Sequence, residues 1–482
     1  MNDSANPEIP PSPHVPPPDS APLPRQGGLY ANRKKIYVRA VNGIFAKWRW
    51  ALVWLTQIVF YSLPWLTWND RQAVLLHLTQ RKFYIFDWVF WPQDVRFLAV
   101  LLIISAYSLF FFTAIAGRLW CGYACPQTVY TEIFLWIERK IEGDHNKQAR
   151  LDKAPLDGRK FALKFAKYAA WGVVALWTGF TFVAYFSPLN ELLAAVPRLA
   201  FGPWETFWIL FYGAFTFLFA GVMREQVCKY MCPYARFQAV MFDPDTLVVT
   251  YDEARGEPRG VRRKGKDAAP GSLGDCIDCG VCIQVCPTGI DIRKGLQYEC
   301  IGCAACIDGC DEIMDKMGMP RGLVRYTTEN AIKRGWKKAE IIHHVLRART
   351  LVYGAVLLVI SSAFLWGLAT RMPLRVDVIR DRASLGHEVA DGMIENVYLL
   401  RILNMTEAPR TFVLGVTGLD GARLAGEHRV ELDAAQIREI TLPVHVPRNV
   451  GKPGAHEIFF EIFPEDDPAL KLREKTTFLL PR

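Results

Sequence analysis

The sequence predicts a multidomain membrane protein. It combines an α-helical transmembrane bundle of about five spans, a compact cysteine-rich module on the cytoplasmic side, and a C-terminal immunoglobulin-like β-sandwich on the other side. Three observations predict it. Five apolar runs come close to the ~20 residues that cross a bilayer as a helix. Eight of the 12 cysteines fall between Cys276 and Cys310. After Arg371 the chain breaks into short β-rich segments separated by turn residues. A length of 482 residues leaves room for about three domains. A composition that is 51% hydrophobic with 15 Trp is rich for a soluble protein and modest for a bare helical bundle, which agrees with a mixed architecture.

Residues 1–28 carry nine Pro within the first 24 positions and read as a disordered, partly polyproline tail without the order of a signal peptide. Arg33, Lys34, Lys35, Arg39, Lys47 and Arg49 form a basic approach to the first apolar run. Spans are expected at about 48–66, 97–116, 166–186, 204–223 and 351–368. Trp48, Trp65, Trp68, Trp204 and Trp366 sit at their ends, as interfacial aromatics do. Lys and Arg then orient the bundle. The loop after the second span carries Arg118, Arg139, Lys140, Lys147, Arg150, Lys153, Arg159 and Lys160; the loop at 187–203 has Arg198 alone. Arg255, Arg259, Arg262, Arg263, Lys264 and Lys266 precede the cysteine run. The positive-inside rule therefore places the N-terminus and the cysteine module in the cytoplasm and the C-terminus in the periplasm. The mixed charges of 69–96 are the weakest guide. Residues 29–235 hold spans one to four, 236–345 the cysteine module, 346–371 span five and 372–482 the sandwich. The net charge of +9 is not in itself evidence of nucleic-acid binding; the expected partner is a membrane, not nucleic acid.

The sandwich expectation rests on about seven strands, at 376–379, 397–402, 410–416, 429–432, 439–445, 456–463 and 475–480, over roughly 100 residues. It holds no Cys and no catalytic constellation, so its expected use is to dock a partner. Asn404-Met405-Thr406 matches a glycosylation pattern, a kind of match that is usually accidental.

The cysteine run is two copies of C-x2-C-x2-C-x3-C. This is the bacterial ferredoxin spacing, which holds two [4Fe–4S] clusters with the fourth Cys of each run serving the other cluster. Cys276, Cys279, Cys282 and Cys310 are the expected ligands of cluster 1. Cys286, Cys300, Cys303 and Cys306 are those of cluster 2. Zinc would want paired knuckles without the third Cys, and a disulfide framework suits small secreted domains. Pro287 follows the first run as the pattern expects. Asp311 stands where a Pro is usual, which leaves the second exit turn open.

The remaining cysteines form two further pairs, Cys121-Gly-Tyr-Ala-Cys125-Pro126 and Cys228-Lys-Tyr-Met-Cys232-Pro233. Both read C-x-Y-x-C-P and both follow an apolar span at its cytoplasmic end. Cys228 trails Cys121 by the same interval that separates the starts of spans two and four, which reads as an internal duplication. Residues i and i+4 on one helix share a face, so each pair can aim two sulfurs at one site. Thiolates favour Cu(I), Zn or Fe–S centres and can also act as redox dithiols; the spacing leaves ligand and electron carrier both open. Lesser candidates read as structural: His77 as an interface residue, His343-His344 as solvated, Met314, Met317 and Met319 as packing over a cluster, and Glu132, Glu138 and Glu142 as a charged helix face.

With these motifs in place, the chain resembles the CcoG/FixG/RdxA family, accessory proteins in the assembly of cbb3-type cytochrome c oxidase. The resemblance covers nearly everything after the Pro-rich tail, and the two membrane C-x3-C-P motifs make it specific. It implies an inner-membrane cupric reductase that supplies Cu(I) to the oxidase. The clusters would accept electrons from a cytoplasmic donor protein, and Cys121, Cys125, Cys228 and Cys232 would bind or reduce copper, held as substrate or transient ligand. Copper-delivery and oxidase-assembly partners, and a homodimer, follow from the same resemblance. The alternatives are an electron-transfer subunit linking quinol to a respiratory reductase, and an assembly scaffold with structural clusters. No G-x-G-x-x-G fingerprint is present, so no nicotinamide or flavin site is expected.

Overall fold

The computed structural model describes residues 35–261, 273–389 and 392–481. The Pro-rich tail, Arg33, Lys34, Arg262, Arg263, Lys264 and Lys266 lie outside the described residues. Lys35 and Ile36 belong to a separate N-terminal unit; the architecture below begins at Tyr37.

All five apolar runs are helical. They are α1 (Ile44–Ser62), α2 (Val95–Ala116), α5 (Gly158–Val183), α6 (Pro203–Thr216) and α9 (Ala348–Ala369). After α2 come the short α3 (Leu119–Tyr123) and the amphipathic α4 (Pro126–Glu142). Helix α6 continues as a wider π-helical stretch, Phe217–Met223, followed by a second, Val227–Met231, and then α7 (Pro233–Met241). Among the described residues, three helical stretches are long and apolar enough to cross a membrane: Pro92–Ala116, Pro203–Met223 and Ala348–Ala369. Helices α1 and α5 are long enough, at 19 and 26 residues, but carry more charge.

The helices run between two ends. Helices α2 and α9 are antiparallel and clamped at both. At one end Arg371 reaches Asp94 at 2.6 Å; at the other Arg347 donates to Ala114 O of α2 at 3.5 Å and pairs with Asp243, just beyond α7, at 2.5 Å. The loop at 69–96, featureless in sequence, contains an antiparallel sheet of β1 (Val74–His77), β2 (Lys82–Ile85) and β3 (Trp88–Phe90). Turn residues with positive φ, among them Arg81 and Phe86, reverse the chain between its strands. Val89 and Trp91 from this end pack with Leu403, Met405 and Ala435 of the C-terminal domain, and Asn69 donates to Glu407 at 2.7 Å.

The cysteine module lies at the opposite end. A two-stranded sheet of β4 (Val248–Tyr251) and β5 (Val324–Thr327) backs a helix, α8 (Ala305–Met317). Asp308 on α8 caps α1: its carboxylate accepts from the amides of Ala46 (2.7 Å) and Phe45 (3.2 Å). Gly43 is required beside this cap, because a Cβ there would stand 2.2 Å from the Asp308 carboxyl.

The C-terminal domain is a sandwich of two four-stranded antiparallel sheets. Its strands are β6 (Leu374–Val389), β7 (Met393–Asn404), β8 (Arg410–Thr417), β9 (Arg423–Leu424), β10 (Arg429–Leu432), β11 (Ile437–Pro447), β12 (Gly454–Pro464) and β13 (Leu472–Leu480). The sheet orders are β10-β8-β12-β13 and β9-β11-β7-β6. Strict alternation along β7 sends Tyr398, Leu400 and Ile402 inward against Phe460, Ile462 and Phe478. Eight strands replace the expected seven because β9 is two residues long and leaves no periodic signal. Asn404 is fully buried, and its amide donates to Ala408 O (2.8 Å) and Asp433 O (2.9 Å). It pins the turn before β8 and offers no accessible amide to a glycan.

Candidate iron–sulfur and thiol centre

The two ferredoxin-like loops wrap in the same way. Asp278 and Gly280 in the first, Gly302 and Ala304 in the second, all adopt left-handed φ between 52° and 66°. Alternating hand turns successive backbone amides to one side and forms an anion-accepting nest, a device found at Fe–S sites. Each loop encloses a small apolar cavity. One is lined by Cys276, Cys279, Cys282 and Cys310, the other by Cys286, Cys300, Cys303 and Cys306, with Cys282 at the shared wall. The crossed grouping expected from the spacing is thus the grouping the fold brings together. Met314 is 2% exposed and packs with Cys276 and Cys282.

Among the described residues no three His, Cys, Asp or Glu side chains crowd one metal position. Burial pushes the Cys282 thiol up to about 11, Cys300 and Cys310 to about 12, and Cys306 well above its ordinary value. Thiolates in so apolar a setting need a bound cation, and iron supplies it. The donor set and its surroundings fit two [4Fe–4S] groups. Helix α8 explains Asp311: the helix runs straight through Cys310, where a Pro would break it. Asp311 accepts from Gly322 N at 3.0 Å instead.

The membrane-proximal pairs depart from the one-helix expectation. Cys121 sits in α3, but Cys125 is extended (φ −61°, ψ 129°) and caps the next helix, with Pro126 in its first turn. Cys228 and Cys232 repeat this: the first lies in the π-helical turn, the second precedes α7, with Pro233 in its first turn. Pro starts a helix in each motif rather than kinking one. The amides of Gln127 and Thr128 at the start of α4 favour a thiolate at Cys125, yet burial dominates and its pKa rises. Burial also raises Cys121 to about 11 and Cys228 to about 12. All four sulfurs feel one another electrostatically.

The two halves of the duplication exchange side chains. Gln127, on α4, donates to Phe219 O (2.9 Å) and Arg224 O (3.1 Å) at the end of the second hairpin. Gln238, on α7, is fully buried, accepts from the Cys121 thiol at 3.3 Å and donates to Thr113 on the first hairpin at 3.4 Å. The thiol region then meets the cluster-2 loop. Cys121 and Cys228 pack on the apolar cluster that contains Cys303, Val281 and Ile301, against which Cys306 also packs. The approach needs Gly122, where a Cβ would lie 2.8 Å from Cys303 Cα. Arg118, 5% exposed, fastens the contact by donating to Tyr298 O, Cys300 O and Ala235 O.

Glu138 and Glu142 are not a charged helix face. They are 0% and 5% exposed. Lys167 lies 3.0 Å from Glu142 and 3.6 Å from Glu138, Lys164 lies 2.9 Å from Glu142, and Arg224 lies 2.6 Å from Glu138. The available signal was Lys167 within an apolar run, since ionisable residues at such depth find partners. His344 stacks on Trp336 at 3.8 Å, and His77 Nδ1 accepts from Gln80 N, so neither joins the thiols.

Three family models match: a 4Fe-4S binding domain at residues 98–143, a 4Fe-4S dicluster domain at 223–329, and the IG-like fold at the C-terminus of FixG at 364–481. The nitrogen fixation protein FixG of Rhizobium meliloti is 38% identical, over 92% of this chain and 91% of the relative. This chain belongs to the FixG family. Proteins RdxB and RdxA of Cereibacter sphaeroides, also FixG relatives of this chain, are 39% and 40% identical, over 83% and 84% of it and 85% and 87% of their own lengths. The ferredoxin-type protein NapH of Haemophilus influenzae matches only 39% of the FixG-family chain, at 24% identity. A crystal structure of a FixG-related protein from Vibrio parahaemolyticus aligns over 22% of this chain and 96% of its own, at 19% identity and a TM-score of 0.20. The chain is therefore a ferredoxin-type iron–sulfur protein of the FixG family with membrane-length helices and a redox role.

Proposed function

We propose that this protein is a membrane cupric reductase: electrons collected at the cytoplasmic module pass to the membrane-proximal thiols, where Cu(II) is reduced to Cu(I) for a cbb3-type cytochrome c oxidase. The observation that carries this reading is the packing of Cys121 and Cys228 on the loop that holds Cys303 and Cys306. Cys276, Cys279, Cys282 and Cys310 hold one cubane and Cys286, Cys300, Cys303 and Cys306 the other; when bound, these groups supply one-electron carriers. Gly122 and Arg118 keep the thiols against cluster 2 and exclude water from the contact. Cys121, Cys125, Cys228 and Cys232 take copper as substrate, and soft thiolates favour the reduced ion.

The five helices act as five spans, with the N-terminus and the cysteine module cytoplasmic and the sandwich periplasmic. Cys279 is exposed and offers a contact for a soluble donor protein. The sandwich docks copper-delivery and oxidase-assembly proteins, and the protein works as a homodimer.

Dithionite-reduced protein, freed of excess dithionite and given two equivalents of Cu(II), one for each reduced cluster, is expected to lose its reduced-cluster EPR signal as a chelated Cu(I) complex forms. Clusters that stay reduced in the presence of Cu(II) rule the reading out and leave the scaffold alternative. Binding also has a pH dependence. The Cys121 and Cys228 thiols, raised to about 11 and 12, are protonated at neutral pH. Copper must displace those protons, so affinity rises with pH, roughly tenfold per unit for each proton released. Competition against a Cu(I) chelator across neutral pH checks the slope; a flat profile excludes these thiols as ligands.

A further inference from the structure

The cavity at the membrane end of the cysteine module has no part in the copper chemistry. It is a groove of about 920 Å³ between α1, α4 and α5, and its foot is formed by residues 38–42 with Val285 and Pro287. This is the size and apolar character of a small-molecule site. Trp50, Trp54, Trp136 and Trp177 supply most of its aromatic wall. Trp54, Trp136 and Trp177 are 63%, 46% and 44% exposed, so the groove opens sideways, along the helix faces that meet lipid in the five-span arrangement. The Tyr61 hydroxyl and Thr178 Oγ1, 2.8 Å apart, join α1 to α5 at the upper end. At the foot the amide of Arg39 donates to Gln284 O at 2.9 Å, which pins the groove to the cluster loop. Cys286, a cluster-2 ligand in the reading above, stands between the two lining residues Val285 and Pro287.

Two polar atoms on α1 lack partners here. Arg49 is 9% exposed and its Nε–H has no acceptor; Gln57 Oε1 is buried and has no donor. Both residues line the groove, together with the Glu132 carboxylate, which Arg139 approaches at 3.4 Å. Unpaired buried donors and acceptors are costly and rare, so a ligand that satisfies both is favoured. An acyl chain satisfies neither. A flat ring bearing one carbonyl or hydroxyl at each edge and an apolar tail satisfies both and fills the aromatic wall.

We propose that this groove binds a membrane-soluble hydroquinone, which supplies electrons to the protein from the bilayer in addition to any soluble donor. The proposal rests on the electron-carrier reading above and names its reductant. A ring oxygen accepts from Arg49 Nε, and the opposite hydroxyl donates to Gln57 Oε1. Oxidation to the quinone releases two electrons and two protons. The oxidants are the two oxidised [4Fe–4S] groups, each taking one electron. Glu132 accepts the protons in turn and releases them to water at the mouth beside Arg39.

The test uses the full-length protein in lipid nanodiscs and an azido-ubiquinone analogue. Photolabel is expected in peptides of α1 or α5, and decylubiquinone is expected to quench tryptophan fluorescence saturably. Val174→Trp, which fills the groove, should abolish both signals, and Gln57→Leu should weaken affinity about tenfold, with cluster absorbance confirming that both variants fold. Labelling elsewhere, phospholipid as the sole occupant, or unchanged affinity in both variants overturns the proposal. Copper reduction by dithionite-reduced protein bypasses the groove. Its failure would sink the cupric reading while leaving the quinone result standing, and quinone failure alone would sink only the groove.

Discussion

Protein carrying Cys121→Ala together with Cys228→Ala is expected to keep both cluster signals and lose copper turnover by roughly a hundredfold or more. Even outer partners of a metal ligand are worth about 10–100-fold, and these are direct ligands in the proposed site. The two sulfurs belong to neither ferredoxin-like cavity, so cluster assembly proceeds without them. They also pack on the apolar cluster that contains Cys303 and against which Cys306 packs. Each truncation removes one small atom beside Val281 and Ile301, so the contact with the cluster loop survives. The assay is Cu(I) formation after dithionite reduction, with clusters quantified by EPR. Wild-type turnover in this variant would take the membrane thiols out of the mechanism.

The second large effect is expected at the opposite face of α4. Lys167→Met leaves Glu138 and Glu142 with one cation fewer in a site where both carboxylates are almost fully enclosed. Removing one partner of a buried ionic group costs about 3–5 kcal/mol, because the remaining charge is stranded. The ammonium group also lies 4.5 Å from the Tyr168 ring centroid and 5.0 Å from that of Trp171, contacts that Met replaces only in part. Thermal unfolding in detergent should shift down by several degrees. Adding Glu142→Gln, which restores charge balance, should recover part of that loss. If the double variant is as unstable as the sum of the two singles, the network does not couple them.

Cysteine spacing carried most of the site in the sequence itself. C-x2-C-x2-C-x3-C fixes how a loop must wrap, so the grouping of Cys276 with Cys310 and of Cys286 with Cys300 could be read without coordinates. The sandwich was legible for a similar reason, since alternation along 397–402 has one physical solution. Other features left no local trace. Whether Cys121 and Cys125 share a helix depends on a break at one residue, and Pro126 is compatible with either a kink or a start. Gln127 and Gln238 look like ordinary polar residues until the two hairpins are packed together. Glu138 and Glu142 have the spacing of a solvated face, and only the position of Lys167 across from them turns that face inward. The β1–β3 sheet is built on strands of three and four residues, too short for periodicity to show.

The Asp308 cap on α1 has a consequence for biogenesis. The amides of Phe45 and Ala46 emerge from the ribosome long before their acceptor, which lies 262 residues beyond Ala46. At about 5–20 residues per second, that interval is on the order of tens of seconds. During it the leading amides of α1 wait for the acceptor that caps them in the finished fold. Final seating waits for the segment that contains Cys300, Cys303 and Cys306. Helix α1 is thus capped only after the second cysteine loop has been made, so the N-terminal helix and that loop reach their final seating together.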